Sequence, residues 1–183
     1  MSEKLTIKNV VGGGAIGTEI DLHSVSTAEF EKFDIQYEPE SYAAIVLRSH
    51  EFDPTIMLFR SGKFSIAGGK SVQETNLTFQ RFCDELESIT GLEIEPSIEI
   101  RFFVTTGNLE RPLDLSTAAV SLGLDETEYE PEQFPGLFYR PKNRDWFAIL
   151  FASGSVVIDG DPDLEVLEDA YDEIDDTLKN NGI

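Results

Sequence analysis

Tyr37-Glu38-Pro39-Glu40 returns as Tyr129-Glu130-Pro131-Glu132, and the same ninety-two-residue step carries Leu58-Phe59-Arg60-Ser61-Gly62 onto Leu150-Phe151-Ala152-Ser153-Gly154. Neither helical nor strand periodicity generates a fixed offset of that length, so one structural unit has been written twice. Two copies of about ninety residues, each with strand-like and helix-like stretches, suit a pseudo-twofold pair; a solenoid needs three or more units. The expected halves are residues 1–92 and 93–183, and the single chain then behaves like a fused dimer.

Repeat one runs from about Leu5 to Thr90 and repeat two from about Pro96 to Leu178, with Gly91 to Glu95 as the joint. Each repeat opens on a strand-like segment, Leu5 to Val11 and Ile98 to Thr105. A short helix follows near Asp21-Leu22 and Asp114-Leu115, at an offset one residue longer. Three strands are expected next in each half: Tyr42 to Arg48, Thr55 to Phe59 and Lys63 to Ala67, then Gly136 to Arg140, Trp146 to Phe151 and Val156 to Asp159. Pro54, Ser61-Gly62, Pro141 and Ser153-Gly154 between them are the punctuation of tight antiparallel turns. Each repeat closes with a long helix. The first spans about Ser71 to Ile89 with Leu77, Phe82, Leu86 and Ile89 on one face. The second begins at Asp161-Pro162, read as an N-cap followed by proline at the first helical position. The fold class is α+β.

Composition narrows the function. The 183 residues are 40% hydrophobic, enough to build a core. The outlier is charge: 14 basic against 35 acidic residues give −21, and the stretch from Asp161 to Asp176 is rich in acids with no intervening Lys or Arg. Such an excess reads as a disordered acidic tail, a nucleic-acid mimic or a salt-adapted surface. Leu164, Leu167, Tyr171, Ile174 and Leu178 carry a helical apolar stripe through the acids, which argues against disorder. Salt adaptation is the preferred reading, because at molar salt the Debye length shrinks to about 3 Å and like charges cease to repel. The lone Cys83 precludes an intrachain disulfide, no apolar run is long enough to span a bilayer, and Met1-Ser2-Glu3-Lys4 contains no apolar signal core. A reducing, cytoplasmic setting is expected.

The strands carry an anomaly. A sheet covered on one side alternates apolar and polar residues, yet Thr55-Ile56-Met57-Leu58-Phe59 and Trp146-Phe147-Ala148-Ile149-Leu150-Phe151 are apolar on both faces. The helices can bury Ile56, Leu58, Ala148 and Leu150. The alternate set Met57, Phe59, Phe147, Ile149 and Phe151 then needs another partner: a second protein layer, another chain or a ligand surface. Gly12-Gly13-Gly14-Ala15-Ile16-Gly17 satisfies G-x-G-x-x-G, but the second copy lacks it and no βαβ series follows, so dinucleotide binding is not expected. His23, His50 and Cys83 have no metal-ligand spacing and no nucleophile constellation stands out, so neither cofactor, metal nor enzymatic activity is expected.

These residues resemble a known family. Tyr129-Glu-Pro-Glu-Gln-Phe-Pro-Gly-Leu-Phe-Tyr-Arg140 with Ile149-Leu-Phe-Ala-Ser-Gly154 resembles the second repeat of TATA-binding proteins, and Phe59-Arg-Ser-Gly-Lys63 with Gly68-Gly-Lys70 resembles the first. Order, spacing and duplication agree from Leu5 to Leu178. The resemblance implies two pseudo-symmetric repeats forming a saddle-shaped curved antiparallel sheet, helices on its convex face, whose underside binds and bends A/T-rich promoter DNA through the minor groove. It implies a transcription initiation factor that recruits a transcription factor B homologue, and a monomer or weak dimer with no membrane partner.

The resemblance also assigns residues. Tyr42 and Phe59, then Phe134 and Phe151, match the family's paired aromatic wedges; flat apolar rings replace the base stacking that a kink destroys. By pattern alone they could equally be core aromatics. Asn9 matches a central asparagine facing base acceptors, Val11 and Val104 match groove-lining valines, and Met57 and Ile149 complete the apolar underside. Arg48, Lys63, Lys70 and Arg140 match phosphate-contacting positions. Glu130 and Glu132 match the loop that meets transcription factor B, where a basic surface would read them; plain solvation is their other reading. The chain departs from the family at Phe102, where a second asparagine is expected, at Ser65 and Ala67, at Asp159 in place of a groove-facing threonine, and at Ser155 and Pro162 in place of lysines. A carboxylate at Asp159 is unfavourable near base edges and phosphates unless it is protonated, bridged by a cation or turned away. Repeat two is therefore the poorer DNA surface, and a divergent paralogue serving as a protein-interaction or regulatory module with weak or no DNA binding is the alternative.

Overall fold

The computed structural model describes residues 4–95 and 97–183; Pro96, where repeat two was expected to open, and Met1 to Glu3 lie outside the described residues. Two compact units result: one is Asn9–Arg101, and the other is Phe102–Ile183 together with Lys4 to Lys8.

In repeat one, β1 (Thr6–Ala15) leads to helix α1 (Leu22–Ser26), then to β2 (Phe33–Tyr37), β3 (Ala44–Ser49), β4 (Thr55–Phe59), β5 (Lys63–Gly69) and helix α2 (Val72–Thr90). The strands lie in the order β2-β3-β4-β5-β1, all pairings antiparallel. Asp21 caps α1 by accepting from the amides of His23 and Ser24, and Ser71 caps α2 by accepting from Glu74; each satisfies donors that have no partner inside the helix. Gly91 ends α2 in the left-handed region, at φ 69°. The helices bury one face of the sheet: Ile45, Leu47, Ile56, Leu58, Phe64 and Ile66 pack with Phe79, Phe82, Cys83 and Leu86. Desolvation there pushes the Cys83 thiol up to about 12, so it is an inert core group.

The second unit repeats the plan. β6 (Glu99–Asn108), α3 (Leu115–Leu122), β7 (Thr127–Glu128), β8 (Gly136–Tyr139), β9 (Phe147–Phe151), β10 (Ser155–Asp159) and α4 (Leu164–Asn180) follow in chain order, with strand order β6-β10-β9-β8-β7. The N-terminal segment belongs here. Leu5 is buried, and Lys4 Nζ donates to Asp172 at 2.6 Å. Asp114 caps α3 and Asp163 caps α4.

The duplication holds bond by bond. Ile16 N–H donates to Gly62 O and Leu109 N–H to Gly154 O; Ile20 N–H donates to Arg60 O and Leu113 N–H to Ala152 O. Both turn glycines need their conformation, φ 75° at Gly62 and 87° at Gly154, and a Cβ on either would strike a backbone oxygen, that of Thr18 or Arg111.

Four expectations change. Helix α4 starts at Leu164 with Asp163 as its cap, the position corresponding to Ser71, so Pro162 precedes the cap and is not the first helical residue. Leu77 is 46% exposed; it lies five residues before Phe82, a turn of about 140°, which removes it from the buried face of α2. The edge strands β2 and β7 were not anticipated: Phe33-Asp34-Ile35-Gln36-Tyr37 does alternate apolar and polar residues as a half-buried strand should, whereas β7 has two residues, too few to show a period. The glycine-rich run is the interior of β1, with Gly12, Gly13 and Gly14 opposite Ile66, Ser65 and Phe64. Bare backbone suits that crowded strand: an added Cβ at Gly13 would come 2.6 Å from Phe64 O.

Candidate nucleic-acid interface

Strand alternation builds the candidate surface. Along β4 the burial runs half-buried at Thr55, Met57 and Phe59 and full at Ile56 and Leu58; along β9 it runs half-buried at Phe147, Ile149 and Phe151 and full at Ala148 and Leu150. Residues directly opposite on adjacent strands share a face. Met57 faces Val46 and Ser65; Ile149 faces Phe138 and Val157. Each unit thus carries one fully buried strand face and one half-buried apolar face.

The repeated phrase Tyr-Glu-Pro-Glu sets the aromatic pairs. Glu38 O accepts from the amides of Ser41 and Tyr42 at 2.9 and 2.8 Å, and Glu130 O from those of Gln133 and Phe134 at 2.9 and 3.0 Å. The same turn therefore delivers Tyr42 just ahead of β3 and Phe134 just ahead of β8. Tyr42 is 44% exposed and its ring centroid lies 6.4 Å from that of Phe59; Phe134 is 36% exposed and lies 6.1 Å from Phe151. None of the four belongs to the buried core. Gly136 makes room in the second pair, since a Cβ there would come 2.7 Å from the Phe134 ring and 2.8 Å from Ile149.

Around these rings stand the polar groups. Asn9 is half-buried, and its Oδ1 accepts from the Gly68 amide at 2.7 Å. With that carbonyl oxygen engaged by a backbone donor, the NH2 group is the end of the side chain able to donate to a ligand. Val11 and Val104 are half-buried. Arg48 Nη1 donates to Gln36 Oε1 at 3.0 Å. The Arg140 guanidinium lies over the rings of Phe138 and Phe147, 5.2 and 5.1 Å from their centroids, a double cation–π contact. Lys63 is exposed; Lys70 is paired with Asp53, whose hydrogen bond pushes the Lys70 pKa up. Glu130 accepts from the Gln133 side-chain amide, and Glu132 is exposed beside it.

The departures fall on the second unit. Phe102 is half-buried, Ser155 Oγ accepts from Ser153 Oγ at 3.1 Å, Pro162 is exposed, and Asp159 ends β10 opposite Val104 and Phe147. Burial pushes the Asp159 carboxyl up from its ordinary value. Sequence reasoning missed Phe138 and Val46 on the half-buried faces. Each stands directly opposite a residue of that face, Ile149 and Met57, in a register that only the fold supplies.

Comparison with known proteins decides the family. The profile described as "Transcription factor TFIID (or TATA-binding protein, TBP)" matches this chain twice, over residues 4–89 and 97–181. The chain belongs to the TATA-binding protein family. TATA-box-binding protein E of Halobacterium salinarum is 37% identical over 182 residues, covering 99% of this chain and 96% of the relative, and the TATA-box-binding protein of Natronomonas pharaonis has the same identity and coverage. The solved structure of Methanococcus jannaschii TBP superposes with a TM-score of 0.83 at 35% identity, over 97% of this chain and 99% of that one. The two-repeat α+β architecture is thus that of TATA-binding proteins, a family of transcription factors and not of enzymes. No described helix is long and apolar enough to cross a membrane.

Proposed function

We propose that this TATA-binding-protein-family chain acts in transcription initiation by binding A/T-rich promoter DNA through the minor groove, bending it, and recruiting a transcription factor B homologue from a cytoplasmic setting. The observation that carries the reading is the half-buried apolar sheet face of each unit, with an aromatic pair at its edge: Tyr42 with Phe59, and Phe134 with Phe151. Repeats 1–92 and 93–183 would each read half a site. The rings would enter base steps from the minor-groove side, as wedges do in this family, while Val11, Met57, Val104 and Ile149 line the groove. The Asn9 amide would donate to adenine N3 or thymine O2, the acceptors that A·T pairs present there. Arg48, Lys63, Lys70 and Arg140 are the phosphate partners, and Lys70 would leave Asp53 to serve. Glu130 and Glu132, on the exposed loop ahead of Phe134, would meet a basic surface of transcription factor B.

The decisive experiment is fluorescence anisotropy with an A/T-rich duplex in molar potassium salt. A chain carrying −21 should take up cations as it approaches DNA, so affinity is expected to rise with salt, the reverse of counterion release from a basic protein. Absence of binding at every salt concentration, with Phe59→Ala and Phe151→Ala indistinguishable from the unaltered protein, would refute the reading. Asp159 favours one alternative, a protein-interaction module with weak DNA binding. Sedimentation without DNA distinguishes the two, since the DNA-binding reading predicts a monomer or weak dimer.

A further inference from the structure

Asp159 breaks the equivalence of the two repeats at a chemically specific place. Ala67 occupies the corresponding position of repeat one, opposite Thr55, and carries no polar atom beyond its backbone. Asp159 stands opposite Val104 on one side and Phe147 on the other, so its carboxylate shares the face of the groove-lining row. Neither neighbour can donate a hydrogen bond. Burial pushes its carboxyl up from the ordinary value.

A carboxylate so placed reads base edges in one direction. In the minor groove A·T and T·A pairs offer only the acceptors adenine N3 and thymine O2, whereas a G·C pair adds the guanine N2 amino donor. An ionised carboxylate accepts and cannot donate. Against an A·T pair it meets another acceptor and leaves its own lone pairs unsatisfied, a costly arrangement in a partly dehydrated site. Against guanine it gains a charge-assisted hydrogen bond, stronger than a neutral one.

Resting on the minor-groove reading, we propose that Asp159 is a specificity-determining residue: it selects a base pair bearing a minor-groove amino group in the half-site that repeat two reads. Repeat one, with Ala67, makes no such demand. The preferred site is therefore asymmetric, uniformly A/T in one half and interrupted by one G·C pair in the other. Polarity along the DNA would follow, because only one orientation puts repeat two over the interruption.

The test uses nucleobases that differ in that amine alone. An A/T-rich duplex is altered one pair at a time, replacing A·T by 2,6-diaminopurine·T, and in a parallel series comparing G·C with inosine·C. Anisotropy titrations in molar potassium chloride are run on the full chain and on Asp159→Ala, with thermal melts to show that both are folded. At one position, in one half of the site, the added amine should strengthen binding by the unaltered protein about tenfold, the effect of one well-made base contact. Asp159→Ala should reduce that ratio to about one while still binding the A/T duplex. The assignment is overturned if both proteins bind A/T DNA and the amine is neutral or unfavourable at every position, or if the preference survives in Asp159→Ala. Failure of both proteins to bind any duplex overturns the minor-groove reading itself, and this assignment with it.

Discussion

Leu150→Ala and Phe151→Ala, side by side on β9, should separate folding from function. Leu150 is fully buried, and its cross-strand neighbours Leu137 and Val156 are at most 1% exposed, so the site has little freedom to collapse around a lost side chain. Truncation there should cost about 2–5 kcal/mol of stability. For a chain of this length that lowers the melting temperature by about 4–20 °C. Phe151 is half-buried on the opposite face and its recorded ring partner is Phe134, at 6.1 Å. Losing an aromatic pair of that kind costs about 0.5–1.5 kcal/mol, and some apolar area is lost as well, so about 1–2 kcal/mol is expected. DNA binding should show the reverse order. A ring that compensates an unstacked step is worth a few kcal/mol, so Phe151→Ala should weaken binding to an A/T-rich duplex about 10- to 100-fold, at 1.4 kcal/mol per decade. Folded Leu150→Ala should bind nearly normally. Equilibrium unfolding and anisotropy, both in molar potassium chloride, provide the two numbers for each variant. The reasoning fails if Phe151→Ala is as destabilising as Leu150→Ala and leaves DNA affinity unchanged, which would make Phe151 a core residue.

Asn9 separates its two roles by chemistry: Asn9→Asp keeps the acceptor for the Gly68 amide and should melt like the unaltered chain, whereas Asn9→Ala leaves that donor unpaired and should lose about 1–3 kcal/mol. Both should bind A/T-rich DNA more weakly in the same titration, since neither retains the NH2 donor. Gly62→Ala and Gly154→Ala should each cost about 2 kcal/mol or more in denaturant unfolding, because both backbones are left-handed and both Cβ positions lie within 2.2 Å of a carbonyl oxygen. Although burial pushes the Asp175 carboxyl up, hydrogen bonds from Lys179 and Arg111 hold it below its ordinary 3.8. Its stabilising contribution is therefore complete above that value and lost as pH falls through the lowered one. Asp175→Asn should flatten the acid side of the stability profile below about pH 4, and equally steep acid losses in both proteins would contradict this.

Much of the fold could be read from residues whose partners are near in sequence. Asp21, Ser71 and Asp114 cap helices because a side-chain oxygen needs only the amides two or three residues on. The two-sided apolar pattern of β4 and β9 announced a sealed face and an open one, because strand alternation is a local rule. The repeat offset identified the turns at Gly62 and Gly154 as equivalent before any coordinate did. What depended on distant partners stayed hidden. The Asn9 oxygen is engaged because folding brings it to the amide of Gly68, 59 residues away; Lys70 is engaged because folding brings Asp53 to it; Phe138 matters because register sets it against Ile149. Lys4 to Lys8 belong to the unit of repeat two, a placement that no periodicity within repeat one contains. Sequence alone thus determined the duplicated plan and the face of each strand, since these follow from local backbone geometry and hydrophobic period. Tertiary structure decided which polar atoms are occupied and which remain free to meet a ligand, because that depends on contacts made only when distant segments come together.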